Sequence, residues 1–545
     1  MAVRIVVVCL LGIASAYGPA AGATDLSTQR RAASLRSRHL TLVDRFVGQL
    51  DELAKTAEAD GEGAAAAEIR AYAVPPQSDG IDLAPLPASK RPEVSLALPP
   101  DERNRRLRLR FLADAHADEL YRLSRQLVGA GAVTSAQRLV RDCLFYNPDH
   151  KGARRLLGYV DAGSAWTTPF LNKQRTLGRV DHPTFGWLPA SHVAKYEEGR
   201  RFYRGRWLRA DHEAELRRDI KQGWVAETEH FRVRTNHSLE KGVEIARKLE
   251  VYHEAFLKIF VAFFRTPEQL GRLFDGSGTI RGRSPGSRDD KYDFVLFRDR
   301  KDYVANLRRR LPWLTNTNGA YIPGERKSYF YSRDAADGGD PIETVYHEAT
   351  HQLMYESIAR DRPIGERAHF WATEGIACYM ESFRVRDGAV SLGHVAHPRF
   401  LAARVRRERD GFYKPLATFA AIGQSQLQQS PEVQAIYSQA SGLAHFFMHY
   451  DGGRYRDAFV AHLAEIYRGD PVRPVTDMSR LTGVSYETLD RQYLEYVSTL
   501  GGVQNVRDLI DVPAAKADEG RRAPVGVTSG GTVTATVPRA ERRGR

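Results

Sequence analysis

Thr344-Val-Tyr-His-Glu-Ala-Thr-His-Gln-Leu353 decides how this chain is read, together with Trp371-Ala-Thr-Glu-Gly-Ile-Ala-Cys-Tyr-Met-Glu381 a short way downstream. On a helix His347 and His351 stand one turn apart and face the same way, so two imidazoles can hold one Zn2+ while Glu348 sits beside them as a base. Val345, Tyr346, Ala349, Leu353 and Met354 give the segment an apolar side, the pattern of a buried helix rather than a loop. The second segment offers Glu374 as a third ligand. Two histidines and one glutamate leave the fourth tetrahedral position open for a water.

Taken together, His347-Glu-Ala-Thr-His351 and Trp371-x-x-Glu374-Gly375-x-Ala377-x-Tyr379 resemble the gluzincin metallopeptidases, whose third ligand is a glutamate on a second helix. In closer detail the pair resembles the peptidase MA-like domains of exported bacterial proteins. The resemblance covers roughly residues 226 to 500 and implies an α+β fold. A small mixed sheet with an edge strand over the zinc helix would be followed by a helical subdomain. Aminopeptidases of the group share Trp-x-x-Glu-Gly-x-Ala, but with a gap shorter than the 22 residues between His351 and Glu374. Asn318-Gly-Ala-Tyr-Ile stands where their Gly-Ala-Met-Glu-Asn would be, which argues for an endopeptidase instead.

The same resemblance assigns roles. One Zn2+ per chain is expected on His347, His351 and Glu374, with Glu348 as general base. The family also uses a tyrosine or histidine hydrogen-bond donor opposite the metal; Tyr437, on a helix predicted from Val433, is the candidate, with His445 two turns along as the alternative. Cys378, one turn after Glu374, is either a small buried apolar residue or a fourth ligand that would make the site inert. Glu343 and Glu381 are candidates to hydrogen-bond the ligand imidazoles, or are solvated helix charges. A competing reading keeps the fold but not the catalysis, as a silent peptide-binding scaffold. Against it, Glu348 and all three ligands are present. Protein and cell-wall peptides are equally compatible substrates.

The rest of the chain bounds these readings. Residues 1–23 carry one arginine, a short apolar run and Ala21-Gly-Ala23, the pattern of a signal peptide, so the expected location is periplasmic or secreted. No later stretch is apolar enough to span a bilayer. Cys143 and Cys378 are the cysteines beyond that segment, too few for a disulfide framework. The net charge of +13 favours contact with anionic surfaces, though part of it sits in a Gly/Thr/Val/Pro-rich tail, 501–545, that reads as disordered. Nothing points to a specific nucleic acid. Arg200-Arg-Phe-Tyr-Arg-Gly-Arg-Trp-Leu-Arg209 alternates as a solvated strand does.

Between the ends, 24–100 reads as one amphipathic helix over 28–58 followed by a Pro-rich linker. Segment 101–163 resembles a tetratricopeptide-like helical hairpin plus a following helix, with breaks at Gly129-Ala-Gly131 and Asn147-Pro148. Segment 164–225 reads as a β-rich connector, and 226–500 as the catalytic domain. There a strand at 230–235 and a long helix lead to a strand at 293–297, then to a hairpin ending at Ser332, just before the motif helix. That hairpin would bind an extended substrate backbone by β-augmentation, as in the family it resembles.

Overall fold

The computed structural model describes residues 26–73, 81, 83, 91–163, 165–275, 291–312, 317–333, 342–358, 364–386, 389–469 and 474–501. The expected signal peptide, most of the Pro-rich linker and the basic tail lie outside them. The described chain is α+β, as expected.

Helices α1 (Leu26–Ala59), α2 (Gly63–Arg70), α3 (Pro100–Gly129) and α4 (Val133–Tyr146) share one core. Phe46, Leu50 and Leu53 of α1 share this core with Leu120 and Leu127 of α3 and with Leu139 and Leu144 of α4. His116 stacks on Phe46 with ring centroids 4.2 Å apart. The helical region is therefore larger than the hairpin read from sequence, because α1 and α2 belong to it. Leu40 and Val47 of α1 are exposed, while Val43 and Phe46 between them are buried. The connector that follows, expected to be β-rich, alternates short antiparallel pairs, Arg179–His182 with Gly186–Pro189 and Arg200–Tyr203 with Arg206–Arg209, with short helices at Pro169–Thr176, Val193–Glu197 and Ala210–Leu216.

A five-stranded mixed sheet carries the rest: β1 (Trp224–Glu227), β2 (Phe231–Thr235), β3 (Tyr292–Phe297), β4 (Gly319–Ile322) and β5 (Lys327–Tyr331). Its spatial order is β4-β5-β3-β2-β1, with parallel pairing for β5–β3 and β3–β2 and antiparallel pairing at both edges. The boundary expected at residue 226 cuts through β1, so the sheet begins inside what was read as connector. Side chains alternate across the strands. Phe294, Leu296 and Phe330 enter the main core, whereas Val295, Phe297, Tyr329 and Tyr331 form a separate cluster with Tyr303 on the other face.

Against the main face lie α5 (Leu239–Ile259), α6 (Ile342–Ile358) and α7 (Phe370–Met380), then α8 (Pro398–Glu408), α9 (Val433–Gly453) and α10 (Arg456–Arg468). The Tyr252 hydroxyl of α5 bonds the Tyr346 carbonyl at 3.2 Å and the Thr350 hydroxyl at 2.6 Å, fixing α5 on α6. The β4–β5 hairpin turns through Arg326 at φ +53°, a left-handed conformation that costs a non-glycine residue about 1–2 kcal/mol. Arg326 is held there by the fully buried Glu356 of α6, at 3.1 and 3.2 Å. Glu356 also accepts from Gln352 at 2.7 Å, and Gln352 accepts from Ser328 of β5 at 2.6 Å. This polar seam pins the edge hairpin to the motif helix.

Burial also holds several core imidazoles neutral: His116 and His445 are pulled down to about 4 and His462 to about 3, from an ordinary 6.5. Above 6.5 these rings are neutral in folded and unfolded chains alike. As pH falls toward 4 the unfolded chain takes up protons that the core refuses, and stability declines by about 1.4 kcal/mol per pH unit for each ring. Urea titrations across that window should show a falling midpoint; a constant midpoint would mean that the rings protonate within the fold.

Candidate metal centre

The α6 backbone places His347 and His351 one turn apart, with His347 Nε2 and His351 Nε2 separated by 3.3 Å. Helix α7 brings Glu374 to them, its Oε2 lying 3.5 Å from His347 Nε2 and 3.7 Å from His351 Nε2. A tetrahedral ion with bonds of about 2.0–2.1 Å separates its donor atoms by about 3.3 Å, so the triangle has the size of one coordination face. The three residues can hold a metal ion. Glu374 Oε2 is buried and makes no hydrogen bond among the described residues. Burial resists its ionisation, yet the facing histidines hold its pKa down at about 2, so the oxygen is a carboxylate that requires positive charge, from those rings or an ion, opposite it.

Two other carboxylates complete the pocket. Glu348 is fully buried; its Oε2 accepts from the Tyr321 N–H of edge strand β4 at 2.8 Å, and its Oε1 has no partner among the described residues. Burial raises its pKa above the usual 4.5. Glu381 accepts from His347 Nδ1 at 2.8 Å and is clasped by Arg399 of α8 at 2.7 and 2.8 Å. With Nδ1 donating to Glu381, the Nε2 lone pair of His347 is directed at the Glu374 side. Burial opposes the Glu381 charge, but Arg399 and His347 keep its pKa at about 2.

Tyr437, on α9, is 4 % exposed, and its hydroxyl makes no hydrogen bond among the described residues. Burial and then the nearby Glu374 carboxylate drive its pKa well above 10. Helices α7 and α9 approach closely enough to bring it there because residue 375 is glycine: a Cβ at Gly375 would lie 2.6 Å from the Ala440 carbonyl oxygen. That contact is a physical reason for the Gly in Trp371-x-x-Glu-Gly375. Tyr467 of α10 also feels the Glu374 charge. Tyr467 belongs to no motif, and the sequence reading did not single it out.

Other expected groups are placed differently. His445 is a packed core histidine, its Nε2 facing the Gly393 carbonyl at 2.9 Å and its Nδ1 the Tyr496 hydroxyl at 2.7 Å. Glu343 does not touch a motif imidazole; it pairs with Arg384 and lies 3.8 Å from His397, since the start of α6 turns it away from the pocket. Cys378 is fully buried and groups with His347 and Glu381, the Nδ1 side, rather than with His351 and Glu374.

Residues 341–473 match a family described as a protein of unknown function, DUF1570. The DUF1570 match contains His347, Glu348, His351, Glu374, Glu381, Arg399 and Tyr437, and excludes the N-terminal helices and all five strands of the sheet. A search of curated proteins finds no match.

Because Glu381 orients His347, Glu381→Gln should weaken divalent-metal affinity by about 10–100-fold. Competition against a chromophoric chelator measures this, and unchanged affinity would remove Glu381 from that role.

Proposed function

We propose that this chain is a zinc-dependent metallopeptidase of the gluzincin, peptidase MA-like kind, acting as an endopeptidase on peptides or proteins outside the cytoplasm. The observation that carries this reading is the convergence of His347 Nε2, His351 Nε2 and Glu374 Oε2 on one coordination face, with the unpartnered Oε1 of Glu348 in the same pocket. The two-histidine, one-carboxylate set suits zinc and leaves room for a water and a substrate oxygen. The export assignment rests on the signal-like N-terminal residues. No helix among the described residues is long and apolar enough to cross a membrane.

A bound zinc ion would polarise the scissile carbonyl and acidify a water. Glu348 takes a proton from that water at Oε1 and returns it to the departing amine. The Tyr321 N–H fixes its other oxygen. Tyr437 donates its O–H to the oxygen that gains negative charge, a bond formed only as the reaction proceeds. Strand β4 is an edge strand beside the motif helix, placed to pair with an extended substrate backbone.

Glu348→Gln should retain metal and fold yet lose at least about 100-fold in turnover, since the amide cannot accept the proton. An active Glu348→Gln protein defeats the mechanism. If the wild-type protein binds members of a library of protein and cell-wall peptides but cleaves none, it is the silent scaffold instead.

Tyr437→Phe should lower kcat by about 100-fold with little change in KM. A tyrosine that only packs would leave kcat unchanged and affect thermal stability, so both are measured on the one variant.

A further inference from the structure

A second group of metal-ligating side chains lies on the opposite part of the sheet. Glu250 and His253 are three residues apart on α5 and therefore share a face, and His230 stands at the entry to β2, against which α5 packs. His230 pairs with Glu250 through both its ring Nδ1 and its backbone N–H, the latter at 3.2 Å. The rings of His230 and His253 stack with centroids 4.0 Å apart and planes inclined by 30°. One donor atom from each of the three residues lies within 4.8 Å of the others.

His253 is the informative member. It is 6 % exposed and has no hydrogen-bond partner among the described residues; its electrostatic neighbours are His230 and Glu250 alone. Burial keeps the ring neutral, with a pKa of about 3, so a lone pair is available near neutral pH. His230 and Glu250 are part-exposed, with side-chain exposures of 39 % and 28 %, so a hydrated ion can reach the group from solvent. Glu250 also lines a cavity of about 400 Å3, together with Trp187, Thr228 and Glu229.

We propose that His230, Glu250 and His253 form a second site for a borderline divalent transition ion of the zinc class, distinct from the α6–α7 centre. Two imidazoles and a carboxylate select such ions over magnesium or calcium, which favour all-oxygen sets. A tetrahedral ion would draw the donor atoms to about 3.3 Å, a movement that side-chain torsions supply while the strand and the helix stay in place. The ion ties the start of β2 to α5, and α5 in turn holds α6 through Tyr252. The Lys291 ammonium, bonded to the Thr228 and Glu229 carbonyls, lies close enough to feel the Glu250 charge, which makes this the weaker of the two sites.

The test is zinc stoichiometry by equilibrium dialysis on the full chain, read beside zinc-dependent thermal shifts. The expected result is one zinc equivalent that persists in His351→Ala and is lost in both His351→Ala/His253→Ala and His351→Ala/Glu250→Gln, together with its thermal shift. Glu250 is part-exposed, so its variant carries the test if loss of His253 prevents folding. The proposal is overturned if no equivalent depends on Glu250 or His253. It is equally overturned if the equivalent retained by His351→Ala shows a thiolate-to-cobalt charge-transfer band on cobalt substitution, which would place the ion at Cys378.

Discussion

Glu374 sits in the interior with an oxygen that makes no hydrogen bond among the described residues and faces two imidazole nitrogens 3.5 and 3.7 Å away. A carboxylate in such a place is tolerable only if positive charge stands opposite it. Much of the surrounding architecture supplies or supports that condition. Helix α6 sets the spacing of the imidazoles, α7 delivers the carboxylate, and the α7–α9 contact at Gly375 lets a third helix close over the pair. Trp371, stacked on Phe459 at 5.8 Å and tilted on Phe447 at 6.0 Å, fastens α7 to α9 and α10 at the other end of the same motif.

Around this centre the buried charges are arranged in pairs with separate duties. Arg399 neutralises Glu381, so that Glu381 can orient His347 without adding an uncompensated charge. Arg326 neutralises Glu356, and that pair holds the hairpin whose Tyr321 N–H reaches Glu348. Glu348 and Glu374 alone are left with unpartnered buried oxygens among the carboxylates of the pocket. Structural carboxylates are saturated and the functional candidates are not, which is a physical basis for telling them apart.

The helical region at the N-terminus is less separate from this machinery than its sequence pattern suggests. Val261 and Leu270, which follow α5, enter the α1–α4 core, and Arg468 at the end of α10 bonds the Phe263 carbonyl at 2.9 Å. Through α5 the helical region and the sheet meet the motif helix.

The two motif segments were legible from sequence alone because their information is local. A four-residue spacing on a helix fixes which side chains share a face, and an alternation of apolar residues fixes the strands on either side. The shared helix face of His347, Glu348 and His351 and the individual strands of the hairpin follow from such short-range rules, whereas the mixed sheet and the choice of Glu374 as a third ligand were what the family resemblance implied. Tertiary structure decided what depends on groups distant in sequence. Glu381, far from His347 in sequence, reaches the imidazole because α7 ends beside α6, whereas Glu343, one helical turn before His347, is drawn off by Arg384. His445 is saturated by Gly393 and Tyr496, while the hydroxyl of Tyr437, two turns away, faces the Glu374 carboxylate instead, a difference no helical periodicity encodes. The partners of a buried polar group come from whichever elements pack against it, and that packing is a property of the whole fold.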